Sequence, residues 1–338
     1  MKTVKVAIVG FGGIARAHYT SYRNLSEGGM PVRVVAVFDK NAEQFNRNAV
    51  INLGGVNVML SDDVHTYTDI DELLRNEDFD MADICLPSFL HKEYAIMLMK
   101  AGKHVLCEKP MALCHTDCLE MLRVAREQGR RLMIGQCLRF EPSYLYLKEC
   151  IDTGRFGGLR HMTMERLSEY PTWGVGRWFD DKQKCGGCII DTHIHDIDMA
   201  RFILGEPESV SCVAYDNIPH CQIVNSRLFY RDTTIIVDAV WDETRPVPFR
   251  MGYYAKFDKA SVAYDGECVK VHPNGEEAYA PYIPIADRVS EEIKLFVSLI
   301  LNPVLENTVN SPESAAKSVR LVRILAKSAE HDGIRFAL

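Results

Sequence analysis

No stretch of this sequence is apolar for long enough to cross a bilayer. No basic segment followed by an apolar core opens the chain, so nothing reads as a secretory signal. Positive charge is not in excess either: 39 lysines and arginines stand against 46 aspartates and glutamates, a formal net charge of −7. That balance excludes the basic footprint of a nucleic-acid binder and the basic face of a membrane-surface protein. Internal repeats, low-complexity tracts and long linkers are missing as well. The eleven cysteines lack a usual zinc spacing. Cys185-x-x-Cys188 and His193-x-His195 crowd four possible ligands together, but residues two apart on a helix point about 200° apart. No metal is expected. The cysteine pair opens no thioredoxin-type unit, which argues against redox use. Cys85, Cys107 and Cys137 fall in or at the ends of predicted buried strands, where a thiol acts as a small hydrophobe. Reduced cysteines and a cytoplasmic protein are the expectation.

What is present begins at Val4–Val9, a run rich in β-branched residues that ends in Gly10-Phe11-Gly12-Gly13-Ile14-Ala15. This is G-x-G-x-x-A between a strand and a helix. Gly10 permits the tight turn, Gly12 lets backbone N–H groups approach a pyrophosphate, and Ala15 keeps the helix close to its strand. The anion would rest on the positive end of that helix, so Gly10, Phe11, Gly12, Gly13 and Ile14 are candidate cofactor contacts. A second buried strand, 32–38, ends at Asp39, 24 residues beyond Ala15. An acid there accepts from the adenosine ribose hydroxyls and repels a 2′-phosphate, which favours NAD. Lys40 beside it leaves room for NADP.

At 338 residues two domains are expected. Helix-forming and strand-forming segments alternate to about residue 136: strands near 64–67, 81–86, 104–107 and 131–136, and helices from 42, at 69–75 capped by Thr68, at 91–101 and from the Thr116 cap to 128. That is the grammar of an α/β, doubly wound parallel sheet, residues 1–137. Beyond Arg139 consecutive strands are predicted at 160–169, 208–215, 222–230, 233–241, 249–257 and 260–264. They suit a mostly antiparallel sheet in an α+β domain, residues 138–338. One helix interrupts them at 189–204 and two finish the chain at 287–301 and 312–331, the last free to pack back on the first domain.

Chemistry-bearing residues gather at two places. Pro87, Ser88 and His91 follow one predicted parallel strand and Glu108-Lys109-Pro110 another, both at the rim where such sheets bind ligands. A lysine held there reaches the nicotinamide ribose and a substrate hydroxyl together; otherwise it is a solvated loop lysine. In the later helix Asp191, His195 and Asp198 form a stripe at four- and three-residue spacing, and a carboxylate one turn from an imidazole orients it for proton transfer. Tyr170, Trp173, Arg177 and Trp178 crowd a nearby loop. Aromatic faces with an arginine suit a polyhydroxylated ring, and aromatics also simply pack.

With these motifs placed, the sequence resembles the Gfo/Idh/MocA family, the glucose-fructose oxidoreductase and inositol dehydrogenase group. The resemblance rests on Gly10-x-Gly12-x-x-Ala15, Leu86-Pro87 with His91, the run from Ala101-Gly102-Lys103-His104 to Glu108-Lys109-Pro110, then Gly186-Gly187, Asp191, His195, Asp198 and Leu204-Gly205. It implies a Rossmann domain followed by an open sheet whose exposed face forms a homodimer or homotetramer. It implies hydride transfer between nicotinamide and a sugar, inositol or related polyol. By the same resemblance Lys109, Asp191 and His195 are catalytic: His195 takes the hydroxyl proton, Asp191 orients it, and Lys109 bridges substrate oxygen and cofactor ribose. Ser88, Cys188 and His193 depart from the family pattern, and His193 joins Trp173, Arg177 and Trp178 as a candidate substrate contact. Two other classes stay open: a glycoside hydrolase that uses held NAD for transient oxidation, and a non-catalytic NAD-binding regulator.

Overall fold

In the computed structural model the described residues are 2–46, 49–51, 54–56, 58–218, 220–242 and 248–338. They divide into two compact units, neither of them a single run of chain. The first is residues 1–137 with 173–185 and 287–317; the second is 138–172, 186–286 and 318–338. The domains expected from sequence, 1–137 and 138–338, leave out the two later segments that belong with the first unit.

The first unit is built on β1 (Val4–Val9), β2 (Val32–Phe38), β5 (His65–Tyr67), β6 (Met81–Ile84), β7 (His104–Glu108) and β8 (Leu132–Gly135), with a short hairpin of β3 (Ala49–Ile51) and β4 (Gly54–Val56) beside them. The six strands run parallel in the order β5-β2-β1-β6-β7-β8. Strand order reverses between β1 and β6, so a ligand crevice is expected beyond the carboxyl ends of these two strands. Helices α1 (Gly13–Glu27), α2 (Ile70–Asn76), α3 (His91–Lys100) and α4 (His115–Glu127) connect the strands. The cap of α2 is Asp69 rather than Thr68, its carboxylate accepting from the Glu72 amide at 2.9 Å. Helix α4 begins after Cys114 with no capping side chain, one residue ahead of Thr116.

Helix α9 (Arg288–Leu301) also belongs to this unit. Its Ile293, Phe296, Val297 and Leu299 share one core with Val4, Val6 and Ile8 of β1 and with Tyr19 and Tyr22 of α1. Asp287 caps it, accepting from Val289 and Ser290 amides and from the Ser21 hydroxyl of α1 at 2.9 Å. An amphipathic stripe signals a helix but not its partner, which is why the sequence left α9 in the wrong half.

The second unit holds α5 (Pro142–Asp152) and an eight-stranded sheet: β9 (Leu159–Glu169), β10 (Ser209–Ile218), β11 (Cys221–Phe229), β12 (Thr234–Asp242), β13 (Arg250–Phe257), β14 (Ala260–Tyr264), β15 (Val269–Pro273) and β16 (Phe336–Ala337). The order is β15-β14-β13-β9-β12-β11-β10-β16. Every pairing is antiparallel except β12 with β9. Side chains alternate along β9 and β12 between buried and half-buried, as one covered and one open face require. Among the described residues no helix is long and apolar enough to cross a membrane.

The candidate cofactor rim and catalytic helix

Within the first unit the glycine turn is shaped as its residues demand. Gly10 has φ +92°, and a Cβ there would lie 2.9 Å from the Cys85 carbonyl oxygen, so only glycine fits the turn. Around Gly12 the position of a Cβ is open, with no atom within 4 Å. Gly12 caps α1 without a side-chain hydrogen bond, and the first turn carries no acid. First-turn amides have no acceptor inside their own helix, so the end of α1 offers N–H groups to an anion across an unobstructed approach. The Phe11 amide is not one of them: it donates to Asp39 Oδ2 at 2.8 Å. Asp39 Oδ1 accepts from the Asn41 amide at 2.9 Å, which fixes a half-buried carboxylate beside the turn, where a ribose would need it. Lys40 is exposed. These residues fit a dinucleotide: α1 for its pyrophosphate, Asp39 for its ribose.

Arg16 was not singled out by sequence. It lies fully buried, its guanidinium donating to the carbonyls of Phe11 at 2.5 Å, Gly12 at 3.1 Å and Gln44 at 2.6 Å. It braces the turn from beneath.

The loops after β6 and β7 are joined by one side chain. His91 is buried, with Nδ1 2.7 Å from the Pro110 carbonyl and Nε2 2.8 Å from that of Leu86. It shapes the rim from behind, while Ser88, also buried, opens the short turn Ser88–Leu90. Lys109 is half-buried, and its peptide bond to Pro110 is cis. The same unit holds the aromatic loop, followed by the short helix α6 (Lys182–Cys185): Trp178 stacks on Phe179 at 3.8 Å, Trp173 meets Phe179 edge-on at 6.2 Å, and exposed Arg177 pairs with Asp180 at 2.6 Å.

In the second unit the expected single helix over 189–204 is two: α7 (Gly187–Asp191) and α8 (Ile194–Leu204), broken at Thr192-His193. Gly186 and Gly187 lead in at φ +78° and +73°, and a Cβ on Gly186 would come within 2.4 Å of Ile190. The break is held from the sheet, where the Trp241 indole donates to Thr192 Oγ1 at 2.6 Å and His193 Nε2 lies 2.7 Å from Ser226 Oγ. His193 is thus fully buried against β11 rather than on a pocket wall. Burial, with the Arg166 charge beside it, holds its pKa down to about 3. Tyr170, likewise buried, packs edge-on against Trp241.

The expected stripe of Asp191, His195 and Asp198 is not what forms. Asp198 is buried and takes two hydrogen bonds from Arg139, at 2.8 and 2.7 Å, and one from Ser318. Asp196 takes two from Arg166, at 2.7 and 3.1 Å. The arginines come from outside the helix, a partnership that spacing along α8 cannot reveal. From Thr192 to Arg201 every residue is buried except His195, and Asp191 is half-buried just ahead of the break. Half-buried His195 is thus followed along α8 by two buried aspartates, each held by an arginine.

The chain is similar to known proteins in sequence and in fold. The family model described as the oxidoreductase family with an NAD-binding Rossmann fold matches residues 4–136, and the C-terminal domain of the same family matches 144–241. A 2,7-anhydro-N-acetylneuraminate hydratase of Mediterraneibacter gnavus is 32% identical over 65% of this chain and 54% of its own length. An inositol 2-dehydrogenase of Rhizobium meliloti is 32% identical over 63% of this chain and 58% of its own. The chain thus spans little more than half the length of these relatives. Among solved structures, the WlbA dehydrogenase of Bordetella pertussis, in complex with NADH and UDP-GlcNAcA, superposes with a TM-score of 0.79 at 20% identity, covering 100% of this chain and 99% of that one. The glycine turn, the Glu108-Lys109-Pro110 rim and the two matched domains lead to one statement: this chain belongs to the Gfo/Idh/MocA oxidoreductase family, and its first unit is an NAD-binding Rossmann domain.

Proposed function

We propose that the protein is an NAD-dependent dehydrogenase acting on a hydroxyl-bearing carbon of a sugar, inositol or related polyol. One observation carries the reading: the glycine turn, the Leu86-Pro87 loop and Lys109 follow β1, β6 and β7, three adjacent parallel strands. Neighbouring strands lie about 4.8 Å apart, so Lys109 leaves the sheet about 10 Å from the turn, on the edge where such sheets bind ligands. NAD supplies the hydride acceptor. On this reading Lys109 donates to the substrate oxygen and the cofactor ribose, His195 takes the hydroxyl proton, and Asp191 orients the imidazole. Trp173, Arg177 and Trp178 meet the polyol. His193, with its ring on Ser226, has no part in that contact. The open face of the second unit's sheet supports a homodimer or homotetramer.

A second reading draws on the hydratase relative. Adding or removing water changes no net oxidation state, so a family member holding NAD would have to return the hydride it takes. One experiment separates the two. Inositols, aldoses and sugar acids are offered with NAD and with NADP, and the nicotinamide absorbance is followed alongside substrate consumption. The dehydrogenase reading expects NADH to accumulate with at least one polyol, faster with NAD than with NADP. Substrate consumed without NADH favours the redox-neutral reading, and no consumption across the panel overturns both.

A further inference from the structure

We propose that His18 is a positioning residue for Lys109, acting through a buried charge clamp with Asp83 and Glu108 that ties the lysine loop to helix α1. The proposal rests on the reading of Lys109 given above and names what holds that lysine in place.

His18 lies on α1, two positions beyond Arg16, and is 1% exposed. Its Nδ1 is 2.8 Å from Asp83 Oδ2 on β6, and its Nε2 is 3.1 Å from Glu108 Oε1 at the end of β7. Ionised carboxylates only accept, so both ring nitrogens donate and the ring is an imidazolium. Burial opposes that charge, but the charge of Asp83 together with Cys85 beside it, and hydrogen bonds to both, outweigh it and raise the His18 pKa well above its ordinary value. One helical turn on, the Tyr22 hydroxyl donates to the same Asp83 oxygen at 2.9 Å, so Asp83 cannot turn away from the ring.

The far end of the clamp is what makes it more than a satisfied core network. Glu108 Oε2 accepts from the backbone amide of Lys109 at 3.0 Å. One oxygen of this carboxylate is thus held by α1 and the other holds Lys109. The space it occupies is reserved on the neighbouring strand: a Cβ on Gly135 of β8 would stand 3.1 Å from Glu108 Oε1. Burial would raise the Glu108 pKa, yet the hydrogen bond and charge of His18, with help from Lys109, keep it below the usual carboxylate value. The carboxylate stays ionised and the grip persists at neutral pH. The direction in which Lys109 leaves the sheet is therefore set from the helix whose first turn would hold the cofactor phosphates. A misplacement of about 1 Å at such a group can cost about a hundredfold in rate.

The test is a mutant cycle on the intact chain, with NADH as the probe. His18→Asn keeps a donor near Asp83 but is too short to reach Glu108, whereas His18→Gln can place a donor toward Glu108. The expected result is NADH binding, read by its fluorescence, weakened about threefold or more in His18→Asn and substantially recovered in His18→Gln. Turnover of the best polyol of the panel falls about tenfold or more in the Asn variant. Both losses vanish when Lys109→Ala is already present, because coupled sites are not additive. Equal fold losses with and without Lys109 would show a merely structural role and overturn the clamp. If Lys109→Ala alone changes neither NADH binding nor turnover, the role of Lys109 fails first and the clamp falls with it. Should His18→Asn not fold, Tyr22→Phe removes one donor from Asp83 and keeps the ring. It is expected to act in the same direction with smaller effect, and no effect would count against the proposal.

Discussion

A lysine carries its charge on a flexible four-carbon stem, so whether it can serve a reaction depends on what fixes its backbone. Lys109 is a candidate from the sequence because Glu-Lys-Pro after a strand is a local signal, and Asp39 because an acid at the end of the second strand is another. Arg16 and His18 are not. An arginine or histidine early in an amphipathic helix reads as ordinary surface, and nothing local announces that its partners are the carbonyls of Phe11 and Gln44 or the carboxylates of Asp83 and Glu108. Lys109→Ala is expected to slow turnover by well over ~10²-fold, because it removes the donor that holds the substrate oxygen for proton transfer to His195. Its thermal midpoint should stay close to that of the parent, since a half-buried rim side chain contributes little to the core. A near-normal rate of NADH production would refute the role.

Among the elements, α8 shows most clearly what spacing can and cannot say. The glycine stop at Gly205 was read correctly, and the helix ends at Leu204; the stripe from Ile190 to Leu204 is split by the break and is not one buried face. The break at Thr192-His193 was invisible, because it is imposed by Trp241 and Ser226 from strands far along the chain. So was the fate of Asp196 and Asp198, each spent on a buried arginine; removing one partner of such a pair costs about 3–5 kcal/mol. Helix α5 was missed although Pro142 stands at its first turn; β15 was missed too, and the two-residue β16 is too short for periodicity to register. The helix break also carries a pH signature. His193 titrates near its ordinary 6.5 when unfolded but is held down to about 3 in the fold, so below about 6.5 the unfolded state binds the extra proton. Its contribution to stability is complete above that pH and is lost as pH falls toward 3. Urea midpoints at pH 7.5 and 4.5 should therefore differ less in His193→Asn than in the parent; an equal drop in both would show that another group sets the acid limb.

At the scale of the whole molecule, the fold class was legible because strand–helix alternation and strand succession are written into consecutive residues. The two-unit division was not, because it depends on which surface each late segment covers. The parallel pairing of β12 with β9 has the same origin, joining strands separated by more than sixty residues. On the open face of that sheet Thr163, Glu165 and Leu167 of β9 stand beside Ile236, Asp238 and Val240 of β12, all half-buried. The proposed homo-oligomer would cover this row. Sedimentation should return the mass of two or four chains, and Val240→Asp should shift it toward one; a parent that stays monomeric at micromolar concentration would dismiss the assembly. Helix α9 has a further implication, for biosynthesis. A ribosome finishes all six parallel strands by Gly135, yet the segment bearing Ile293, Phe296 and Val297, which seals the apolar side of β1 and α1, emerges more than 150 residues later. Until then the nascent nucleotide-binding half carries an unsealed greasy flank, so completion of the first half waits on a segment made long after its last parallel strand.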